Sequence, residues 1–388
     1  MRVLIINSMF YTQAYRRCVD ELGKFPDIEL TVLTVDSWIM NDRVGMADPL
    51  APDAPYAFVK GTTGWSGKEN RGFYTSGLAT AFKLSKPEVI FLMEEPFSLF
   101  ALQVLFFRAI FAPNAPIVFF TWNNLSFRVF DYRPSIWYRL VSRWTLDRFA
   151  GALTANDDGI QVLRDAGFGK PIEKIGYGVE TERFAHRDEL TLNSLRSCLG
   201  LNANTIVIGY IGRILWMKGL DLLLEAIAML EREDIRILLV GSGDYESEFL
   251  RLAQKLGLAG QIIHLPSIPH NEVAQYMQLI DIFVLPSRRV KMWAEQFGRV
   301  AIEAMAAGAI VIGSDSGAIP EVIGDGGFIF EENDKYSLAI ALHKALDLSP
   351  EQRSSMIAHA RERAQTTFTW RKFATQAAGF IQNIYRSR

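Results

Sequence analysis

The chain is expected to fold as α/β, in two doubly wound parallel-sheet domains. Three observations lead there. Its 388 residues exceed one ordinary hydrophobic core and suggest two or three domains. Short apolar runs rich in β-branched residues alternate with amphipathic helical patterns. Two successive series of this kind are separated by a segment near residue 176.

The first series consists of "VLIIN" (3–7), "LTVLTV" (30–35), "VIFLM" (89–93), "PIVFFT" (116–121) and "AGALTAN" (150–156). Runs that are apolar on both faces suit buried strands of a parallel sheet with helices between them. The second series follows "EKIGYGVETERF" (173–184): "IVIGYIG" (206–212), "IRILLVG" (235–241), "QIIHLP" (261–266), "IFVLPS" (282–287), "AIVIGS" (309–314) and "GFIF" (327–330). Helical segments such as "GLDLLLEAIAMLERE" and "ESEFLRLAQKLGL" separate these strands. The expected divisions are 1–175, 176–370 and a final amphipathic helix over 371–388, placed to pack back on the first domain. The segment Gly176-Tyr177-Gly178 is the expected hinge.

Composition excludes several classes. With 49% hydrophobic residues and a net charge of −2, nothing draws the chain toward nucleic acid. Two cysteines, Cys18 and Cys198, make no disulfide framework, and no paired Cys/His spacing suggests zinc. "MRVLIINSMF" is too quickly polar for a signal peptide, and "PFSLFALQVLFF" stops at Arg108, short of a membrane span. The chain reads as cytoplasmic.

Ligands of open parallel sheets bind beyond the carboxyl ends of the strands. In the first half those ends carry Asn7 and Ser8, Glu94 and Glu95, then Asn123 and Asn124; in the second, Gly212 and Arg213, Gly241 to Gly243, and Pro286 and Ser287. Two sheets facing each other across a hinge would make one cleft from both sets. In "GYIGRILWMKGLDLLLEAI", Arg213 ends a strand and Lys218 precedes a helix, so two cations stand beside a helix N-terminus, where phosphate oxygens are held. A solvated loop with two surface charges is the plain alternative. No Gly-Lys is followed by Ser or Thr, and "GSGDYE" and "GYGVET" lack the third glycine of a dinucleotide fingerprint. Nicotinamide chemistry is therefore not expected.

In "AEQFGRVAIEAMAAG" (294–308), Glu295 lies in a loop and Glu303 about two turns inside the helix that starts after Phe297-Gly298 and stops at Gly308. A carboxylate can accept hydrogen bonds from two vicinal hydroxyls, while the amides at the helix start, Phe297 to Val300 with Arg299 between, can hold an anion. Sugar hydroxyls, phosphate and ribose together describe a nucleotide sugar. A solvated Glu303 and an ordinary loop acid at 295 are the alternative.

These residues carry a resemblance. The spacing Glu295-x7-Glu303, the block "EQFGRVAIEAMAAGAIVIGSDSGAIPEVIGDGGFIF", the "GRILWMKG" element and the "GYGVETERF" segment resemble retaining glycosyltransferases of family 4, which have the GT-B fold of two Rossmann-like domains. The likeness runs over most of residues 170–335. It implies that Glu303 binds ribose hydroxyls, that Arg213 and Lys218, beside Gly212, bind the diphosphate, and that Glu295 with the backbone of Phe297 and Gly298 binds the donor hexose. Gly241 and Ile268 would approach the nucleotide through their backbones. The donor would be a nucleotide diphosphate sugar, UDP-sugar favoured over GDP-sugar, and the acceptor a hydroxyl of a glycan, lipid-linked or small-molecule partner. No metal is expected. A nucleotide-sugar hydrolase or epimerase, or a non-catalytic sugar-binding module, are the rivals.

The first half departs from the family pattern. Its first turn reads "NSMFYTQ" without the usual Gly-Gly, and "FFTWNN" lacks the usual histidine, since no histidine precedes His186. Asn123 or Asn124 could hydrogen-bond the sugar instead, and Glu94 or Glu95 could bind or deprotonate an acceptor hydroxyl; capping of the following helix is nearly as good a use for the two acids. "NDD" (156–158) reads as an N-cap rather than a metal site. Segment 126–149 holds five arginines against two aspartates among aromatics. It suits either peripheral contact with the anionic inner face of a membrane or, slightly preferred, a core helix with a snorkelling polar face.

Overall fold

The structure is a computed structural model that describes residues 1–40, 43–68, 70–125, 135–266 and 268–387. The chain divides into two compact units, Met1–Gly178 with Trp370–Arg388, and Val179–Thr369.

The first unit runs β1 (Arg2–Ile6), α1 (Arg17–Leu22), β2 (Glu29–Val35), β3 (Ser37–Met40), β4 (Arg43–Met46), β5 (Ala57–Gly61), β6 (Thr63–Gly64), β7 (Phe73–Tyr74), α2 (Leu78–Ser85) and β8 (Val89–Leu92). It continues with α3 (Leu99–Phe111), β9 (Ile117–Thr121), α4 (Ser135–Leu146), β10 (Gly151–Thr154), α5 (Asp157–Asp165) and β11 (Ile172–Lys174). Seven of these strands form one parallel sheet, ordered β11-β10-β9-β8-β1-β2-β5. Strands β3–β4 and β6–β7 make two antiparallel hairpins beside it.

The central strands are fully buried along their length, which is why their sequences carry no polar alternation. By contrast β5 and β11, at the two edges, are short and partly exposed, so no apolar run announces them. The chain turns back at β1, whose neighbours β2 and β8 continue in opposite directions, so right-handed crossovers put α1 on one face and α2, α3 and α4 on the other.

The second unit runs α6 (Thr181–Ala185), α7 (Glu189–Cys198), β12 (Ile206–Ile211), α8 (Leu220–Ala228), β13 (Ile235–Val240), α9 (Glu246–Lys255), β14 (Ile262–Leu265), α10 (Val273–Met277) and β15 (Ile282–Leu285). Then come α11 (Arg299–Ala307), β16 (Ile310–Ser314), α12 (Ile319–Ile323), β17 (Gly327–Phe330), α13 (Lys335–Leu346) and α14 (Pro350–Thr367). Its six strands are parallel in the order β14-β13-β12-β15-β16-β17. Leu220, Leu223 and Leu224 of α8 are fully buried, each contributing about 2 kcal/mol of apolar burial. The last helix, α15 (Trp370–Arg386), belongs to the first unit, where it packs on α1 and β8. The division falls after Gly178, three residues beyond 175, and returns at Trp370.

Candidate functional site

In a doubly wound sheet, the crevice opens where the strand order reverses. In the second unit that point lies between β12 and β15, and it is bridged by an ion pair. Lys218 follows β12, Glu295 follows β15, and Lys218 Nζ meets Glu295 Oε2 at 2.7 Å with both side chains largely buried. The ammonium also stands 4.4 Å from the Trp293 ring centroid, and Ser287 Oγ donates to the same Glu295 oxygen at 3.1 Å. Residues 77 apart in sequence thus form one polar cluster.

Close backbone packing holds Lys218 there. Gly219, the residue after it, has φ +69°, and a Cβ at this position would lie 1.9 Å from the Pro286 carbonyl oxygen. Arg288, buried, donates through its backbone N to Met217 O at 2.8 Å, stacks 4.6 Å over Trp216 and forms an ion pair with Asp221 in the first turn of α8. Neither Arg288 nor Trp293 was visible as a site residue in the sequence. The only signal was their nearness to the end of β15.

Arg213 leaves the end of β12 exposed, with no ion-pair or hydrogen-bond partner for its guanidinium among the described residues. Its carbonyl accepts the Tyr210 hydroxyl at 2.9 Å, a buried phenol that fixes the loop from beneath. Gly212 and Gly241 lie back to back: Gly241 has φ +138°, and a Cβ there would sit 1.9 Å from Gly212 O. His264 Nε2 lies 3.0 Å from Gly241 O. Ile268 follows β14 and is half-buried.

Helix α11 starts as its sequence indicates. Gly298 takes the left-handed conformation at the N-cap, no side chain caps the helix start, and Gly308, φ +93°, ends it. Phe297 is buried against Phe368, Arg299 is exposed and Val300 half-buried. Glu303 lies on the same helix with only 13% of its side chain exposed, its Oε1 3.3 Å from Arg299 Nε. Burial pushes its carboxyl above the ordinary range, against the opposing pull of Arg299 and Arg183. An acid held this way has more to gain from hydroxyl donors than from bulk water.

The first unit has a parallel arrangement at its own reversal, between β1 and β8. Ser8 N donates to Glu94 Oε1 at 2.5 Å across that point. Glu95 accepts Thr121 Oγ1 at 2.7 Å and Trp122 N at 3.1 Å at the end of β9. The acids do not cap the following helix as one reading expected; Ser98 does, accepting from Ala101 N at 3.1 Å. Asn7 spends its Oδ1 on Met9 N at 2.6 Å. Asn123 and Asn124 are both buried, and Asn123 Oδ1 accepts Leu125 N at 3.1 Å while its Nδ2 finds no partner among the described residues. In "NDD", Asn156 caps α5 through Gly159 N at 2.7 Å, and Asp157 pairs with Lys174 at 2.8 Å. Residues 126–134 of the basic segment lie outside the described residues.

Residues 194–363 match the family described as Glycosyl transferases group 1. Over 221 residues the chain is 31% identical to the D-inositol 3-phosphate glycosyltransferase of Corynebacterium diphtheriae, a match over 54% of this chain and 49% of that protein. It is 28% identical over 254 residues to the GDP-mannose-dependent alpha-(1-6)-phosphatidylinositol monomannoside mannosyltransferase of Mycolicibacterium smegmatis, covering 64% of this chain and 62% of that one. The matched region thus spans about half the length of the first relative. Among solved structures, HepE of Anabaena in complex with UDP and glucose superposes with a TM-score of 0.72 at 20% identity, over 98% of this chain and 99% of that one. By fold the chain is therefore a GT-B protein of two Rossmann-like units, and the segment that holds the Lys218–Glu295 pair and Glu303 is the segment similar to the group 1 glycosyl transferases.

Proposed function

We propose that the chain is a retaining glycosyltransferase that moves a hexose from a nucleotide diphosphate sugar to an acceptor hydroxyl in glycoconjugate synthesis, without a metal. The observation that carries this reading is the Lys218–Glu295 pair across the strand-order reversal, with Arg213 exposed beside it and Glu303 buried in α11. Arg213 and Lys218 take the diphosphate, Glu295 and the amides from Phe297 to Val300 take the hexose, and Glu303 takes the ribose hydroxyls.

In this scheme the bond from the anomeric carbon to the leaving phosphate oxygen breaks with its electrons going to that oxygen. The acceptor oxygen bonds the same face of the carbon, and its proton passes to the leaving diphosphate. The protein's part is electrostatic: cations fixed before the reaction stabilise charge as it grows. Glu94 and Glu95 already accept protein hydrogen bonds, which supports an orienting role toward the acceptor rather than proton removal. Asn7, Asn123 and Asn124 complete that polar edge.

A UDP-sugar is favoured as donor; HepE is solved with UDP, whereas the mycobacterial relative is GDP-mannose-dependent. Incubating the protein with UDP- and GDP-hexoses and assaying free nucleoside diphosphate, with and without candidate acceptors, tests the reading. Acceptor-stimulated release is expected. Release that ignores acceptor would make the protein a hydrolase, and tight binding without release would make it a binding module.

A further inference from the structure

The outer face of α2, α3 and α4 exposes a group of large apolar side chains. Leu84 on α2 is 58% exposed, and Phe106 and Ile110, one turn apart on α3, are 63% and 57% exposed. Phe111, Leu140 and Trp144 are exposed as well. These helices are neighbours in the layer that covers one face of the first unit's sheet, with α3 packed against both α2 and α4. Beneath the exposed residues, Phe107 and Phe111 stack at 5.9 Å and both approach Phe82, so the apolar face is continuous with the core. Large exposed apolar patches mark sites of association.

Charge identifies the partner. Among the described side chains the three helices present Lys83, Arg108 and Arg143, and their sequences hold not one Asp or Glu. Over the whole chain acids slightly outnumber bases, 43 against 41. Lys83 Nζ lies 5.8 Å from the Phe111 ring and Arg148 packs 3.9 Å over Trp144, so cations and aromatic rings alternate on this face. A second copy of the chain would bring the same cations against each other, which disfavours self-association here. An apolar face whose three helices carry Lys and Arg but no acid, with Asp147 just beyond the end of α4, matches an anionic lipid surface, where rings enter the headgroup layer and cations meet lipid phosphate.

We propose that the α2–α3–α4 face is a membrane-docking surface for anionic lipid bilayers. No helix among the described residues is long and apolar enough to cross a membrane, so the contact is from the surface. Docking needs no glycosyl transfer, so it stands or falls apart from the proposed function.

The test is sedimentation of the full chain with phosphatidylcholine vesicles, with and without phosphatidylglycerol. Binding to the anionic vesicles is expected, weak with the neutral ones, and falling as salt rises. The double variant Phe106→Glu/Ile110→Glu, at exposed positions, should cut binding at least about tenfold. Lys83→Glu/Arg143→Glu should cut it on the order of a hundredfold, since each reversal replaces attraction by repulsion. Circular dichroism of both variants should match the parent. No binding to anionic vesicles at low salt, or binding that neither variant weakens, would overturn the proposal. So would an oligomer in light scattering that Phe106→Glu/Ile110→Glu dissolves without changing vesicle binding.

Discussion

Replacing Glu303 by Gln should strengthen the free protein or leave it unchanged, and yet weaken the donor complex. The shape barely changes, but a charge disappears from a side chain that is 13% exposed. The lost ion pair is small, because Arg299 is 42% exposed and an exposed i,i+4 pair contributes about 0.3–0.5 kcal/mol. Against that stands the burial that raises the carboxyl's pKa, which means ionisation costs more in the fold than in the unfolded chain. The sign follows. The stability this group confers is complete below its ordinary value near 4.5 and declines as pH rises through the raised folded value. The Gln variant does not titrate. Its melting temperature should therefore track the parent at low pH and match or exceed it at neutral pH, by up to about 3 °C for each kcal/mol in a domain of this size.

Donor binding should move the other way. A carboxylate taking two ribose hydroxyls makes charged hydrogen bonds, and replacing them by a neutral amide should cost about 2–3 kcal/mol, or roughly 30- to 150-fold in Kd. Calorimetry with nucleoside diphosphate and melting curves from pH 4 to 8 measure both halves. Glu303→Ala should weaken binding by a similar few kcal/mol. A Gln variant with parental nucleotide affinity, destabilised equally at every pH, would refute the ribose role and leave Glu303 a packing residue.

Other expectations concern the same loops. Lys218→Ala should lower turnover by orders of magnitude and Lys218→Arg recover little, because a planar fork does not replace a compact ammonium between Glu295 and Trp293; steady-state rates check this. Activity should survive exhaustive EDTA and gain nothing from magnesium or manganese, whereas loss with EDTA and return with manganese would assign the leaving-group charge to a metal. Gly219→Ala should destabilise by about 2–3 kcal/mol in urea titration, as a left-handed residue whose Cβ meets Pro286 O. Tyr210→Phe should cost about 1 kcal/mol and raise the donor KM a few-fold, by releasing the carbonyl of Arg213.

Much of this molecule is local and therefore legible in its sequence. Buried parallel strands such as β8, β9 and β12 are uninterrupted apolar runs because both of their faces are covered. Glycines at 298 and 308 bound α11 because only they take its left-handed ends cheaply. The spacing of Glu295 and Glu303 falls inside one such segment. The edge strands β5 and β11 escaped notice because half-exposed backbone pairing needs no apolar run. Ser98, not the two glutamates, caps α3, since a cap is decided by where the chain turns and not by which acids lie near. What only the tertiary structure decided is which distant residues meet. Strand order brings Lys218 to Glu295 and Ser8 to Glu94, returns α15 to the first unit, and leaves Phe106 and Ile110 uncovered. Periodicity along a chain fixes which face of an element is apolar, but loop closure and sheet order choose what that face meets, and those are properties of the whole fold.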